Sequence, residues 1–419
     1  MKKRDLFTYQ DAVKQSAPVA FSTMLKPAGS TCNLDCHYCY YLDKALQYGG
    51  KQAVMNDELL ELYVKQYIEA NEVPEVMFCW HGGEPLLLGV GYYRKAVAFQ
   101  KKYAGDKKIT NTLQTNGMLV NEEWCRFFVE NDFLIGVSLD GPKDIHDSFR
   151  LTKSQKPTFD SVMAAITLFK QHGVEFNTLS VVNSKCEGRG VEIYRFFKRL
   201  GSRYMQFLPA VEHVVDKPGF HRPLIVSPDI EGARMAEWSV SPKGYGKFLC
   251  DIFDDWVISD VGSYYVQIFD ATLANWCGYP AGVCSMNETC GDALVVEHNG
   301  DVYNCDHFVY PEYKLGNIAE THLADIYSSR KRLDFGLAKR NGLPNGCLRC
   351  DYYFCCRGEC PKHRFIIDDD GMRKNTLCEG LFAFFKHADP YMSFMRDQIK
   401  NGQAPAWVMP FARRRMGLM

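Results

Sequence analysis

Three cysteines crowd one short run near the start of the chain: Cys32, Cys36 and Cys39 in CNLDCHYC, spaced C-x3-C-x2-C. A cubane iron–sulfur cluster has four irons to ligate, and no fourth cysteine lies near this loop. One iron is then left open to chelate a small molecule. Closed structural zinc sites recruit four ligands, so three thiols are the poorer match to zinc. A second set comprises Cys284, Cys290 and Cys305, then Cys347, Cys350, Cys356 and Cys360 in the pattern C-x2-C-x5-C-x3-C, then Cys378. Eight cysteines complete two four-thiol clusters with no iron left open. Such clusters act as staples for a domain poor in core residues or as electron carriers, and the residues leave both roles open.

Of 17 cysteines in 419 residues, Cys355 is spare by spacing. Cys79, Cys125, Cys186, Cys250 and Cys277 stand alone and read as small buried apolar residues. The opening MKKRDLFTYQ has a charged start but no apolar stretch after it, and no apolar segment reaches spanning length. A cytoplasmic protein is expected, in which thiols stay reduced and serve metals rather than disulfides. The net charge of -1, with no long run of one sign, gives no footprint for nucleic acid or an anionic membrane. A hydrophobic content of 46% suits one large catalytic domain plus a smaller one.

These groups need elements to hold them. Over 21–208 short apolar runs alternate with longer helix-period segments, the pattern of strand–helix units on a parallel sheet. The strand runs are FSTMLKPA, EVMFCW, ITNTLQT, FLIGVSL, VEFNTLSVV and YMQFLP. Helices are expected over 56–70, 91–103, 121–131, 159–172 and 191–200. The expected fold class is α/β, a partial (β/α)6 TIM-type barrel with a C-terminal cysteine-rich domain. In parallel barrels the reactive groups collect at the carboxyl ends of the strands. Here the cysteine loop follows the first run, HGGEP the second, TNG the third and DGP the fourth. Residues 211–240, rich in Pro and His and without periodicity, read as a connector or substrate-facing loop. A helical segment over 245–258 precedes the cysteine-dense stretch, where ALVVEHNGDVYNC signals a hairpin turning at Asn299-Gly300. The expected limits are an N-terminal segment 1–20, the barrel 21–240, a helical connector 241–276, the cysteine-rich domain 277–382 and a helical tail 383–419.

The cysteine loop, with Tyr38 before its last cysteine, resembles that of the radical S-adenosylmethionine (SAM) superfamily, in which SAM binds the open iron. The resemblance implies that Gly82, Gly83 and Glu84 of GGEP meet the SAM amino group, that Ser138 contacts its ribose and that Arg150 contacts its carboxylate. A planar guanidinium suits a carboxylate because it donates two bonds at once. The later cysteines resemble the SPASM extension of peptide-modifying members. By that resemblance Cys284, Cys290, Cys305 and Cys360 hold auxiliary cluster I, and Cys347, Cys350, Cys356 and Cys378 hold auxiliary cluster II, making three 4Fe-4S clusters. The combination of KPAGSTCNLDCHYCYY, GGEP, SLDGP, VVEHNGDVYNCDHFV and the final C-x17-C looks like anaerobic sulfatase-maturating enzymes over 22–382. This family implies oxidation of a Cys or Ser in an unfolded or nascent sulfatase, within Cys/Ser-x-Pro/Ala-x-Arg, to Cα-formylglycine. A reducing donor such as flavodoxin or ferredoxin is implied with it.

The radical made from SAM takes one hydrogen atom, so a closed-shell product needs loss of one more electron and a proton. Asp306, directly after Cys305, is the candidate base; a supporting hydrogen-bonded carboxylate beside the cluster is its other role. His307 is a second acceptor candidate, and His81 lines the pocket where relatives carry Gln. Tyr41 matches a family aromatic near the substrate, or packs against the barrel wall. Two other readings compete. A maturase forming thioether or carbon–carbon crosslinks in ribosomal peptides often carries an N-terminal peptide-binding domain, whereas about thirty residues precede Cys32 here. An electron carrier would leave GGEP, Ser138 and Arg150 without purpose.

Overall fold

The computed structural model describes residues 19–48, 54–219, 222–226 and 230–418. The N-terminal segment 1–20, including MKKRDLFTYQ, lies outside the described residues except for its last two.

Strands and helices alternate as the apolar runs require. β1 (Ser22–Lys26) leads to α1 (Asp57–Ala70), β2 (Glu75–Trp80) to α2 (Gly89–Tyr103), β3 (Lys108–Thr115) to α3 (Glu122–Glu130) and β4 (Phe133–Ser138) to α4 (Lys143–Phe149) and α5 (Phe159–His172). β5 (Phe176–Val182), α6 (Gly190–Leu200) and β6 (Tyr204–Pro209) follow. Local chemistry sets the boundaries. Asn56 and Asn121 accept from the N–H groups of Leu59 and Trp124, satisfying donors that a helix start leaves unpaired. Gly173 and Gly201 end α5 and α6 in the left-handed conformation that costs glycine least. The principal later elements are β7 (His213–Val215), β8 (Leu224–Val226), β9 (Arg234–Met235), α7 (Pro242–Val257), β10 (Tyr265–Val266), α8 (Gln267–Trp276), β11 (Ala293–Glu297), β12 (Asp301–Tyr303), β13 (Lys314–Asn317), α9 (Arg330–Asn341), α10 (Cys378–Lys400) and α11 (Val408–Arg415).

The chain packs as two compact units that interleave along the sequence. The first comprises Met1–Ser138, Arg150–Phe176 and Thr289–Asn341; the second comprises Leu139–Phe149, Asn177–Glu288 and Gly342–Met419. In the first unit the strand order is β4-β3-β2-β1-β11-β12-β13. Neighbours from β4 to β11 run parallel, and β12 and β13 continue antiparallel. The hairpin expected at Asn299-Gly300 forms, with Gly300 at φ +83°. Its first strand is not separate from the strand–helix units: buried Leu294, Val295 and Val296 pair it directly with β1. β1 is therefore flanked on both sides, and its last residue, Lys26, is wholly buried. Tyr63, Tyr67, Phe78, Trp80 and Tyr93 form a chain of mostly edge-to-face ring contacts under α1 and α2.

In the second unit β6 lies between β5 and β10, all parallel. Residues 211–240 contain a small antiparallel sheet with β7 between β8 and β9, where periodicity had suggested only a connector or loop. Strands of two or three residues are too short to show alternation. The long α10 packs on α7 at a glycine contact, where a Cβ on Gly380 would stand 1.9 Å from the Pro242 carbonyl oxygen. No helix among the described residues is long and apolar enough to cross a membrane.

Candidate functional site

The three-cysteine loop leaves the carboxyl end of β1 and is tied down by its neighbours' backbone. Asp35 N–H bonds to the Leu151 carbonyl at 2.8 Å, and Gly83 and Glu84 N–H groups bond to the Gly29 and Thr31 carbonyls at 2.8 Å each. A Cβ on Gly83 would lie 2.0 Å from the Thr31 oxygen, and Gly82 sits at φ +136°. The GGEP glycines are thus required by the approach of the cysteine loop itself. The Cys32 sulfur receives the Leu34 N–H at 3.4 Å and the Asn116 amide at 3.7 Å. Burial pushes the Cys32 thiol up to about 12, with Glu84 and Cys39 adding to it. Such a thiol loses its proton when a cation takes its place. Three thiols on one restrained loop, with amide donors aimed at sulfur, fit a three-coordinate attachment for an iron–sulfur cluster.

Glu84 is 1% exposed, and burial raises its carboxyl to about 7 against the pull of its donors. One oxygen accepts from the Thr115 hydroxyl and the Leu86 N–H, the other from the Asn116 N–H. A carboxylate has about four acceptor positions, so capacity remains for one more donor. Ser138 ends β4 and accepts from the Gln114 amide at 3.0 Å. Arg150 is buried, with its guanidinium 5.4 Å from the ring centre of buried Tyr38. These residues belong to one unit.

Asp306 occupies the same unit. Its Oδ2 accepts from the Tyr40 hydroxyl at 2.5 Å and stands 3.9 Å from the Lys26 ammonium, while Oδ1 lies 3.5 Å from the Cys305 sulfur. Burial drives the carboxyl up, but His307, then Lys26 and the Tyr40 hydroxyl, outweigh it and hold Asp306 well below the usual carboxylate range. Burial, then the negative charge of Asp306, keeps the Tyr40 phenol protonated. Enclosure, reinforced by Lys26, pushes His81 down to about 3, so its imidazole is neutral. Tyr41 is buried against Val295, Tyr303 and Val309, and its hydroxyl donates to the wholly buried Glu297.

In the second unit Cys347, Cys350, Cys356 and Cys378 line one cavity of about 470 Å³, with Lys374, Tyr352, Phe382 and Phe385. Burial, then the neighbouring thiols, raises Cys347 to about 11; burial raises Cys356 to about 12. Four thiols lining one void fit a fully ligated cluster. Cys355 is fully buried and is not among the lining residues. The remaining four expected ligands are divided between the units. Cys290 and Cys305 lie in the first, where Cys290 N–H bonds to the Gly336 carbonyl at 3.2 Å, and Cys284 and Cys360 lie in the second.

Sequence reasoning missed Lys26, Tyr40 and Glu297. A signal existed for two of them, Lys26 and Glu297: each is the single charge of its strand and closes it at the carboxyl end. Their pairing in register across β1 and β11 was not readable.

Residues 27–185 match the Radical SAM superfamily, and residues 284–351 match an iron–sulfur cluster-binding domain, SPASM. A serine-type anaerobic sulfatase-maturating enzyme of Bacteroides thetaiotaomicron is 49% identical over 388 residues, covering 92% of this chain and 94% of that one. A cysteine-type counterpart of Clostridium novyi is 34% identical over 371 residues, covering 88% and 95%. The solved structure of anSMEcpe with bound AdoMet and the Cp18Cys peptide has a TM-score of 0.79 at 32% identity, covering 91% of this chain and 100% of that chain. Streptococcus suis SuiB bound to precursor peptide SuiA, at 12% identity and a TM-score of 0.58, shares the fold alone. The α/β class expected from the apolar runs is the one found. By its cysteine loop, its SPASM cysteines and its near full-length likeness to these relatives, the chain belongs to the anaerobic sulfatase-maturating enzymes, a radical SAM family.

Proposed function

We propose that this enzyme oxidises a Cys or Ser side chain of an unfolded or nascent sulfatase, within Cys/Ser-x-Pro/Ala-x-Arg, to Cα-formylglycine. The observation that carries this reading is Asp306, a carboxylate held ionised beside a candidate cluster ligand in the unit that carries the three-cysteine loop. When bound, SAM and the 4Fe-4S clusters supply an acceptor for one hydrogen atom from the target's β-carbon and an acceptor for one electron. The chain's own residues do the rest. Cys32, Cys36 and Cys39 hold the first cluster. Glu84 receives the SAM amino group beside Gly82 and Gly83, Ser138 meets the ribose and Arg150 pairs with the carboxylate. Cys284, Cys290, Cys305 and Cys360 hold a second cluster, and Cys347, Cys350, Cys356 and Cys378 a third. Asp306 takes the proton from the target thiol or hydroxyl. The loss of one hydrogen atom, one proton and one electron balances the two-electron oxidation. A serine gives the aldehyde directly; a cysteine gives a thioaldehyde that water hydrolyses to it, releasing hydrogen sulfide.

Flavodoxin or ferredoxin is the proposed electron donor, and the cytoplasm, where a nascent sulfatase is unfolded, the proposed location. The proposed functional division remains a barrel over 21–240 and a cluster domain over 277–382. The test is anaerobic turnover of the reconstituted enzyme with peptides carrying the Cys or the Ser motif. An aldehyde captured by a hydrazine is expected; a crosslinked peptide without aldehyde would overturn the reading. Asp306→Asn is expected to cut aldehyde formation by about 10²- to 10⁴-fold, the usual contribution of a general base, while SAM cleavage persists.

A further inference from the structure

Lys26 has no part in the chemistry above, yet its side chain is wholly buried. Its Nζ has no hydrogen-bond partner among the described residues. An ammonium removed from water is costly unless an opposite charge faces it. The ring of Tyr41 lies under it, 3.5 Å from Nζ to the centroid, and supplies a weak electrostatic seat. Two carboxylates are candidates for the compensating charge. Glu297, the register partner of Lys26, accepts from the Tyr41 hydroxyl through Oε1, while its Oε2, without a hydrogen-bond partner among the described residues, stands 3.5 Å from the His298 ring. Asp306 presents Oδ2 at 3.9 Å.

Two groups converge on that single oxygen of Asp306. Tyr40 donates to Oδ2 and Lys26 faces the same Oδ2, whereas Oδ1 accepts only from the Cys305 thiol, at 3.5 Å, a donor that is lost once that sulfur holds a cluster. A carboxylate pinned at one oxygen cannot swing freely about its last bond. We propose that Lys26 is a positioning residue: with Tyr40 it fixes Oδ2 of Asp306, so that Oδ1 is the oxygen that meets the substrate proton. The inference rests on Asp306 being the base. It assigns to the closing lysine of β1 a task at the site, in place of a filler's role in the sheet.

The test uses the reconstituted holoenzyme in a cycle of Lys26→Met, Asp306→Asn and the double variant. Two quantities are read: aldehyde formed per 5′-deoxyadenosine released, and the thermal unfolding midpoint. A structural loss lowers both products together and leaves their ratio alone. Loss of positioning is expected to lower the ratio for Lys26→Met by about tenfold or more, a part of what a general base contributes. The double variant is expected to match Asp306→Asn within about twofold, since residues acting through one group are not additive. Asp306→Asn is expected to lower the midpoint by stranding the buried ammonium, and adding Lys26→Met to restore part of it. If Lys26→Met fails to fold but the double variant folds, the charge pair is supported. If neither folds, Lys26 serves the sheet and the proposal falls. An unchanged ratio in Lys26→Met, with Asp306→Asn inactive, removes Lys26 alone. An Asp306→Asn enzyme that still makes aldehyde removes the base assignment, and the Lys26 inference with it.

Discussion

The two cysteine sites that can each be described within one unit differ in what surrounds the sulfur. Beside Cys32, Cys36 and Cys39 the same unit buries charge: Glu84 at 1% exposure, Lys26 and Glu297 at 0%, with Asp306 at 16% on its side chain. Around Cys347, Cys350, Cys356 and Cys378 the lining is a cavity with aromatic rings, and its charges, Arg349, Asp368, Asp369, Asp370 and Lys374, are at least partly exposed, with buried Arg364 near enough to act on Cys347. Four thiols complete a cluster without help, so the second site needs only shape and a tolerable dielectric. Three thiols leave a position to be filled by a reactive ligand, and in the proposed reaction the residues nearby bind, orient and move protons. Buried ionisable groups with displaced pKa values collect where that chemistry occurs.

The contrast can be broken most sharply at the sulfurs. Cys32→Ala is expected to abolish both SAM cleavage and aldehyde formation while iron content falls by about a third, one cubane of three. Cys356→Ala is expected to lose a similar share of iron yet keep SAM cleavage, with aldehyde lost. Equal effects of the two variants on SAM cleavage, measured as 5′-deoxyadenosine, would erase the distinction between the sites. A smaller effect is expected of Gly83→Ala. Its Cβ, 2.0 Å from the Thr31 oxygen, must displace the cysteine loop, at about 1–3 kcal/mol by analogy with overpacked cores. Calorimetry with iron analysis should show a lower midpoint and poorer loading of the first cluster only. Smallest is Asn121→Ala, which removes the cap of α3, a helix that carries none of the candidate cluster ligands, at about 1 kcal/mol of stability. Its aldehyde yield per 5′-deoxyadenosine should stay at the parent value, and a change there would show that the ratio reports stability.

Much of this was legible in the linear chain, and the reason is locality. Caps at Asn56 and Asn121, the turn at Asn299-Gly300 and the spacing within CNLDCHYC are decided over a few residues, where sequence distance and spatial distance agree. The six apolar runs were legible for the same reason. The three-strand sheet over 211–240 was not, because its strands are shorter than the period that reveals a strand. Nor was the division of the cysteine-rich region, where β11 to α9 belongs with β1 to β4 and the stretch from 342 onward belongs with α7 and α8. That depends on which strand edge an apolar run finds, a choice made by burial across the whole chain.

The sequence by itself determined how many thiols each motif offers, the strand ends from which the motifs project and the presence of an acid beside Cys305. Only the tertiary structure decided that Lys26 and Tyr40 meet at one oxygen of Asp306, and that Tyr41 points its hydroxyl at Glu297. Thiol counts and caps are covalent or one-turn properties. The company a charge keeps after losing water depends on elements brought together from opposite ends of the chain, because an ammonium on β1 acquires its meaning from the carboxylate that folding sets in front of it.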